Sequence, residues 1–376
     1  MQHTIILGSG FAAVAAVREL RALKANTQIT VVSPDNELVY LPSLIWLPSG
    51  MRKGSDLRIS LKNYFARLEV NWHQGRVIKV ENGGRKVITD NGELTNDFLV
   101  IATGGRYLKK LPGITEHAFI PCEGIKPVEA MTERLNSLAG GTIAVGFSSN
   151  PKEPGAVRGG PMFEFLFGLD TWLRQQNKRD KFKLIFFSPA QKPGQRLGEQ
   201  AVDKLLARMQ ELNIETHLGH KPVRIEANKV VTEGGEFTAD LVLFMPGLTG
   251  PAWLDECDLP RSEGGFIAAD QYCRVKGLHR VYCAGDVGSY PGPDWMAKQA
   301  HQADLQAIAV AKNIHAEIKG ERAEHEFKTE LACIIDTLDS GMLVYRHGKR
   351  KLVLPRWKLF HLAKKRFEKG YLAKLR

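Results

Sequence analysis

Thr4 to Ala13 read TIILGSGFAA, a short apolar strand that runs straight into Gly8-Ser9-Gly10 and then into a helical pattern. Few local sequences constrain a fold more. A continuous apolar run suits a strand buried on both faces, and the glycines impose a tight turn into the helix. Gly8 allows the turn, Gly10 lets backbone approach a ligand closely, and small Ala13 keeps the helix packed on the strand. A helix N-terminus presented in this way is a pyrophosphate site. The chain is therefore expected to build its first domain around a dinucleotide.

Two later segments repeat the logic. Phe98 to Gly105 reads FLVIATGG, and Val281 to Gly288 reads VYCAGDVG. Each is an apolar strand ending in a small-residue turn. The first brings backbone back to the cofactor where side chains would collide. The second offers Asp286, which can hydrogen-bond a polyol such as the ribityl chain of FAD. In this order the three segments resemble the pattern of the two-dinucleotide-domain flavoproteins. The expected fold is α/β, with two Rossmann-like dinucleotide-binding domains and a C-terminal amphipathic helical tail. Residues 1–112 and 275–330 are assigned to the FAD domain, 113–274 to the second domain, and 331–376 to a C-terminal strand and the tail.

In the first domain, strands are expected at Thr4–Leu7, Gln28–Val32 and Phe98–Ala102, with a helix at Val14–Leu23. Val77–Val80 and Lys86–Thr89, around Asn82-Gly83-Gly84, read as an inserted hairpin. Trp295–Ile318 reads as the closing helix. In the second domain, Gly141–Gly146, Lys183–Ser188 and Asp240–Met245 read as strands, and Phe163–Gln176 and Ala201–Leu212 as helices. Its first strand ends Val145-Gly146-Phe147 and continues SSNPKEPGAVRGGPMFEF. That loop lacks the compact glycine turn, so this domain is not expected to hold NADH tightly.

The formal net charge is +11. Arg346 to Arg376 hold twelve basic residues and one acid, Glu368, so the tail carries the whole excess. A neutral body with one basic end points to a localised docking surface rather than to nucleic acid. Pro355 is expected to open a helix there. Phe360, Ala363, Phe367 and Tyr371 recur on one face, broadened by Leu359, Leu362 and Leu375, with Trp357 and Tyr371 apt for a headgroup region. This reads as an interfacial helix on a membrane surface, not a spanning one. No apolar run approaches the roughly 20 residues of a spanning helix. With no export signal read at the start, the expected location is cytoplasmic and peripheral to a membrane.

The five cysteines are Cys122, Cys257, Cys273, Cys283 and Cys333. An odd number without CxxC argues against a disulfide framework, a thioredoxin-like pair or a zinc ribbon, and the histidines show no metal-ligand spacing. No metal is expected.

Further segments resemble the sulfide:quinone oxidoreductases and the flavocytochrome c sulfide dehydrogenase flavoproteins over nearly the whole chain. They are ITVVSPDNELVYLPSLIW (Ile29–Trp46), GAVRGGPMFEF (Gly155–Phe165), MAKQAHQAD (Met296–Asp304) and RWKLFHLAKKRFEKGYLAKL (Arg356–Leu375). The resemblance implies FAD as cofactor, sulfide or a related sulfur species as reductant, and quinone as acceptor. It implies FAD contacts at Gly8, Gly10, Phe11, Ala12, Ser33, Pro42, Val77, Ala102, Thr103, Gly104, Gly285, Asp286 and Lys298. Lys298 would come from a helix that presents it to the flavin ring. In the family a cysteine pair beside the flavin works on sulfur, with thiolate as nucleophile. Cys333, in ELACIIDTLDSG, falls on one member of the pair, and Cys122, in FIPCEG, on a further cysteine of quinone-linked members. The second member of the pair is replaced by Arg158.

That replacement leaves three routes. Cys333 works with Cys122, it works with an external thiol or sulfur acceptor, or the substrate is not sulfide. Arg158 could lower the pKa of Cys333 or bind an anionic substrate, if the two are close. Two rival readings stand beside the first. One is a type II NADH:quinone oxidoreductase. The other is a non-catalytic flavoprotein acting as redox sensor or docking partner. Cys257, Cys273 and Cys283 read as structural. The oligomeric state stays open.

Overall fold

A computed structural model describes all of residues 1–376. Its first sheet is five-stranded and parallel, in the order Val281–Cys283, Phe98–Ile101, Gln2–Leu7, Thr27–Ser33, Val70–Gln74. Leu7 lies between Val32 and Ile101, and Val281 pairs with Leu99. Ile5, Ile6 and Leu7 have no exposed surface, because helices and hairpins cover both faces of the sheet. The alanine-rich helix Phe11–Ala22 packs against Ala300–Ile318 through Ala12, Ala13, Ala303 and Ala307. Small side chains at that seam let the two helices lie close.

The second sheet is four-stranded and parallel, in the order Glu215–Leu218, Phe182–Ser188, Gly141–Phe147, Leu241–Met245. Its core is aromatic. Phe163 stacks on Phe186, Phe147 meets both edge-on, and Phe187 stacks on Phe244. Each Rossmann-like unit carries a small three-stranded antiparallel sheet. The hairpin expected at Val77–Val80 therefore has a third strand, Gly92–Thr95.

The C-terminal part departs most from the sequence reading. Glu330–Asp336, Gly341–His347 and Arg350–Trp357 form a three-stranded antiparallel sheet, and the helix Lys358–Ala373 follows. Pro355 does not open this helix. It lies in the edge strand, where the pairing skips between Leu354 and Trp357 and no ladder donor is needed. Likewise the closing helix of the first domain starts at Ala300, not Trp295. Lys298 therefore sits in the loop before it.

The tail helix is amphipathic, but with its faces assigned differently from the periodicity. His361, Glu368, Tyr371 and Leu372 are buried against the body. Leu359, Leu362 and Phe367 are 51%, 58% and 63% exposed, and Trp357 just before the helix is 62% exposed. Tyr371 leaves the expected outer face because it packs on Phe11 and Tyr40, with ring centroids 5.5 and 5.6 Å away. Leu375, expected beside Tyr371, is likewise buried at the end of the chain, so the inward stripe mixes His361, Lys364 and Glu368 with Tyr371, Leu372 and Leu375 while Leu359, Leu362 and Phe367 point outward. No helix is long and apolar enough to cross a membrane.

Candidate functional site

The phosphate end of the site is built by the opening turn. Gly8 has φ +107°, and a Cβ there would stand 2.5 Å from the Ala102 carbonyl oxygen, so no side chain fits without displacing backbone. Nothing lies within 4 Å of a Cβ placed on Gly10 or Gly104, so the space in front of both turns is open. The helix Phe11–Ala22 has no side-chain cap and no acid in its first turn. Its free N–H groups and dipole suit an anion. Gly285 (φ +82°) lies against Ala12 and Ala303, and its N–H donates to Gln306 Oε1 at 2.9 Å. The three small-residue turns therefore meet at one place, as an FAD cradle requires.

Other expected cofactor contacts are placed unevenly. Asp286 pairs with Arg158. Lys298 Nζ donates to the carbonyl oxygens of Asp286 (3.1 Å) and Gly288 (2.6 Å) and lies 3.8 Å over the Phe266 ring. Burial lowers its pKa to about 8. Ser33 is buried, and its hydroxyl donates to the Asp35 carbonyl and accepts from Trp72 Nε1. It is engaged within its own loop. Thr103 accepts from Trp253 Nε1 at 3.2 Å. Pro42 lies in the short helix Leu41–Trp46, and Val77 packs with the apolar cluster of Ile5, Leu7 and Val32.

The two expected redox cysteines are placed around the helix Gly160–Gln175. A Cβ placed on Gly160 would lie 3.8 Å from the Cys333 sulfur, so this thiol stands at the helix N-terminus. Burial pushes the Cys333 thiol up to about 12, with Glu164 raising it further and Lys364 opposing. The helix N-terminus favours the thiolate, against that burial. Cys122 is buried, whereas Cys333 keeps some exposed surface; burial pushes the Cys122 thiol up to about 11 while Arg158 opposes. Glu164 is the one charge that acts on both thiols. Arg158 acts on Cys122, Tyr107 and Asp286. The idea that Arg158 lowers the pKa of Cys333 finds no support, because the guanidinium faces Asp286 and Cys122 instead.

Beneath the tail helix lies a polar network that the sequence reading missed. Lys364 pairs with Glu164, whose Oε1 also accepts the Asp336 N–H at 2.9 Å. Asp336 accepts from His361 at 2.7 Å and from Trp46 Nε1 at 3.0 Å. Arg52 pairs with Glu368 at 2.5 Å and lies over Trp46. Burial pushes the Glu164 carboxyl up even with Lys364 beside it. Burial also opposes ionisation of Asp336, but His361, Lys364 and Trp46 hold its pKa below the usual range. Two signals pointed here. Glu164 is a lone acid in the apolar run PMFEFLFG, and His361, Lys364 and Glu368 recur at helical spacing.

In the second domain, residues 148–159 intervene between Phe147 and the helix that starts at Gly160. Asn150 is buried, and its Nδ2 donates to the carbonyls of Leu248 (2.9 Å) and Gly264 (3.0 Å). A Cβ on Gly247 would come 2.3 Å from the Asn150 nitrogen, so the loop is pressed hard onto that strand end.

Two parallel Rossmann-like sheets with three glycine turns converging on one cradle define an FAD-dependent oxidoreductase of the two-dinucleotide-domain class. The chain belongs to the pyridine nucleotide-disulphide oxidoreductase family, whose model matches residues 2–307. A sulfide-quinone reductase of Aquifex aeolicus is 23% identical over 400 residues, covering 100% of this chain and 91% of that protein. A type II NADH:quinone oxidoreductase of Staphylococcus aureus is 22% identical over 344 residues, covering 86% of this chain and 84% of that one. Among solved structures, the sulfide:quinone oxidoreductase of Aquifex aeolicus superimposes with a TM-score of 0.88 at 20% identity, covering 100% of this chain and 92% of the other. NDH2 from Plasmodium falciparum in complex with NADH gives 0.76 at 13% identity, covering 100% and 96%.

Proposed function

We propose that this flavoenzyme passes two electrons from sulfide, or a related small sulfur species, to a quinone at a membrane surface. The observation that carries the reading is one structural unit. Cys333 lies on a strand against the N-terminus of Gly160–Gln175, and the Glu164–Lys364 pair ties that helix to a tail helix with an exposed apolar face. A sulfur-handling thiol, a buried proton-holding pair and a lipid-compatible surface thus share one small region.

Bound FAD supplies a two-electron acceptor and donor. Gly8, Gly10, Gly104 and Gly285 would hold it by backbone approach, and Asp286 and Lys298 lie beside the third turn. Cys333 Sγ, as the thiolate favoured by the helix N-terminus, would join hydrosulfide sulfur as a persulfide, an oxidation that releases one proton and two electrons, for which FAD would be the acceptor. Cys122, under the charge of Arg158, is the second thiol in the site. Quinone reduction consumes protons. Glu164 Oε1 and Lys364 Nζ hold one between them, and Lys364 belongs to the tail helix. The outward residues Trp357, Leu359, Leu362 and Phe367 enter lipid, and the neighbouring Lys358, Lys365, Arg366 and Lys369 meet anionic headgroups.

The NADH-linked reading draws on the type II relatives but is disfavoured by residues 148–159. The loop pinned by Asn150 stands where a glycine turn would receive the pyrophosphate. Anaerobic titration separates the readings. Sulfide should bleach the flavin and NADH should not, and Cys333→Ser should retain FAD but lose the bleaching. Bleaching by NADH alone would overturn the proposal in favour of the rival. Bleaching by neither would favour a sensor or docking role.

A further inference from the structure

The inward face of the C-terminal sheet carries a charge that the proposed reaction leaves unused. Leu331 pairs with Arg346 and Cys333 with Val344, so these four side chains share one face. Arg346 is 8% exposed, forms no ion pair, and its Nε has no partner. Its Nη1 donates to the Arg196 carbonyl at 2.6 Å, and its guanidinium lies 4.9 Å from the Trp295 ring centroid. Arg196 also forms no ion pair, and its Nη1 is buried without a partner. Its nearest acids, Glu153 and Asp294, act on it from beyond ion-pair distance, and burial is the larger effect. Lys298 feels the Arg196 charge as a repulsion.

Arg346 is held out of water without a carboxylate, and the partly buried Arg196 has only the longer-range charges of Glu153 and Asp294; guanidiniums so placed are costly unless an anion joins them. Their forked donors match an oxyanion, whereas hydrosulfide has no oxygen to receive a fork. Residues two apart on a strand are spaced about 7 Å, so Arg346 lies within a small molecule's length of the row that holds Cys333.

We infer that Arg346 and Arg196, bordered by Lys298, form a binding site for a small sulfur oxyanion of the thiosulfate class, adjoining Cys333. This rests on the proposed sulfur chemistry and narrows its substrate or product to a species that carries oxygen. The site would distinguish this chain from a device for hydrosulfide alone, in keeping with Arg158 where the resemblance leads one to expect a second cysteine.

The test is calorimetric titration of the FAD-loaded protein with thiosulfate, and with sulfate as a redox-inert probe of the same shape. Saturable binding is expected, at least tenfold weaker in Arg196→Gln and in Arg346→Gln. Arg196 is the more exposed of the two, so its variant keeps the test open if Arg346→Gln fails to fold. Arg196→Lys should rescue only in part, because an ammonium lacks the fork. Absence of saturable binding in the wild type, or equal binding in a folded Arg196→Gln variant, would overturn the inference. Sulfide bleaching of the wild-type flavin is scored separately, so its failure counts against the proposed function and not against the oxyanion site.

Discussion

Membrane docking by the outward stripe of the tail helix can be tested with one triple variant, Leu359→Ser, Leu362→Ser and Phe367→Ser. Fully burying a leucine or phenylalanine is worth about 1.5–3 kcal/mol. These three are 51%, 58% and 63% exposed on the free protein, so a little over half of that gain remains for lipid to supply. The loss is then roughly 1–1.5 kcal/mol per side chain, or about 3–4 kcal/mol in all. At about 1.4 kcal/mol per tenfold, the vesicle partition coefficient should fall between a hundredfold and a thousandfold. The assay is co-sedimentation with anionic phospholipid vesicles at fixed lipid, with far-UV circular dichroism to check the fold. Stability should hardly change, because the three residues face away from the body. Tyr371→Ser serves as the opposite control. It should destabilise the fold through loss of its contacts with Phe11 and Tyr40, and alter partition little. Wild-type sedimentation of a folded triple variant would refute the assignment of this face. Truncation after Leu354 is the poorer probe, since it removes part of an edge strand together with His361, Lys364 and Glu368 of the buried network.

Three further outcomes follow from the same structure. Glu164→Gln leaves the buried Lys364 ammonium without its carboxylate and should cost about 3–5 kcal/mol in urea unfolding, where a change under 1 kcal/mol would contradict a tight pair. Gly8→Ala places a Cβ against the Ala102 carbonyl oxygen at a positive φ, so the purified variant should lose most of its flavin absorbance; full FAD content would refute the close-approach argument. Burial raises the Asp304 pKa to about 6, and its Oδ1 has no partner. The folded state therefore binds the extra proton between the unfolded value, near 4, and 6. That stability is present below pH 4 and is lost as pH rises through about 6. Asp304→Asn should thus be more stable than wild type at pH 7.5 by on the order of 1–2 kcal/mol, and the advantage should vanish near pH 4. Equal unfolding midpoints at both pH values would count against it.

Much of this protein was legible from local sequence. Parallel strands buried on both faces must be continuous apolar runs, and glycine turns that admit a pyrophosphate must be small, so TIILGSGFAA, FLVIATGG and VYCAGDVG carry the cofactor half in themselves. The missing glycine turn after Phe147 was equally plain. What the residues alone did not decide depends on contacts between distant segments. Helical periodicity groups Phe360, Ala363, Phe367 and Tyr371 but does not say which stripe faces the body. That was settled by charged partners elsewhere in the chain, Glu164, Asp336 and Arg52, which draw Lys364, His361 and Glu368 inward and leave Phe367 outside. The same holds for Arg158, whose direction follows from Asp286 rather than from its neighbours in sequence. Backbone geometry is a local property and is written locally; the pairing of buried charges is a property of the assembled interior, and only the tertiary structure decides it.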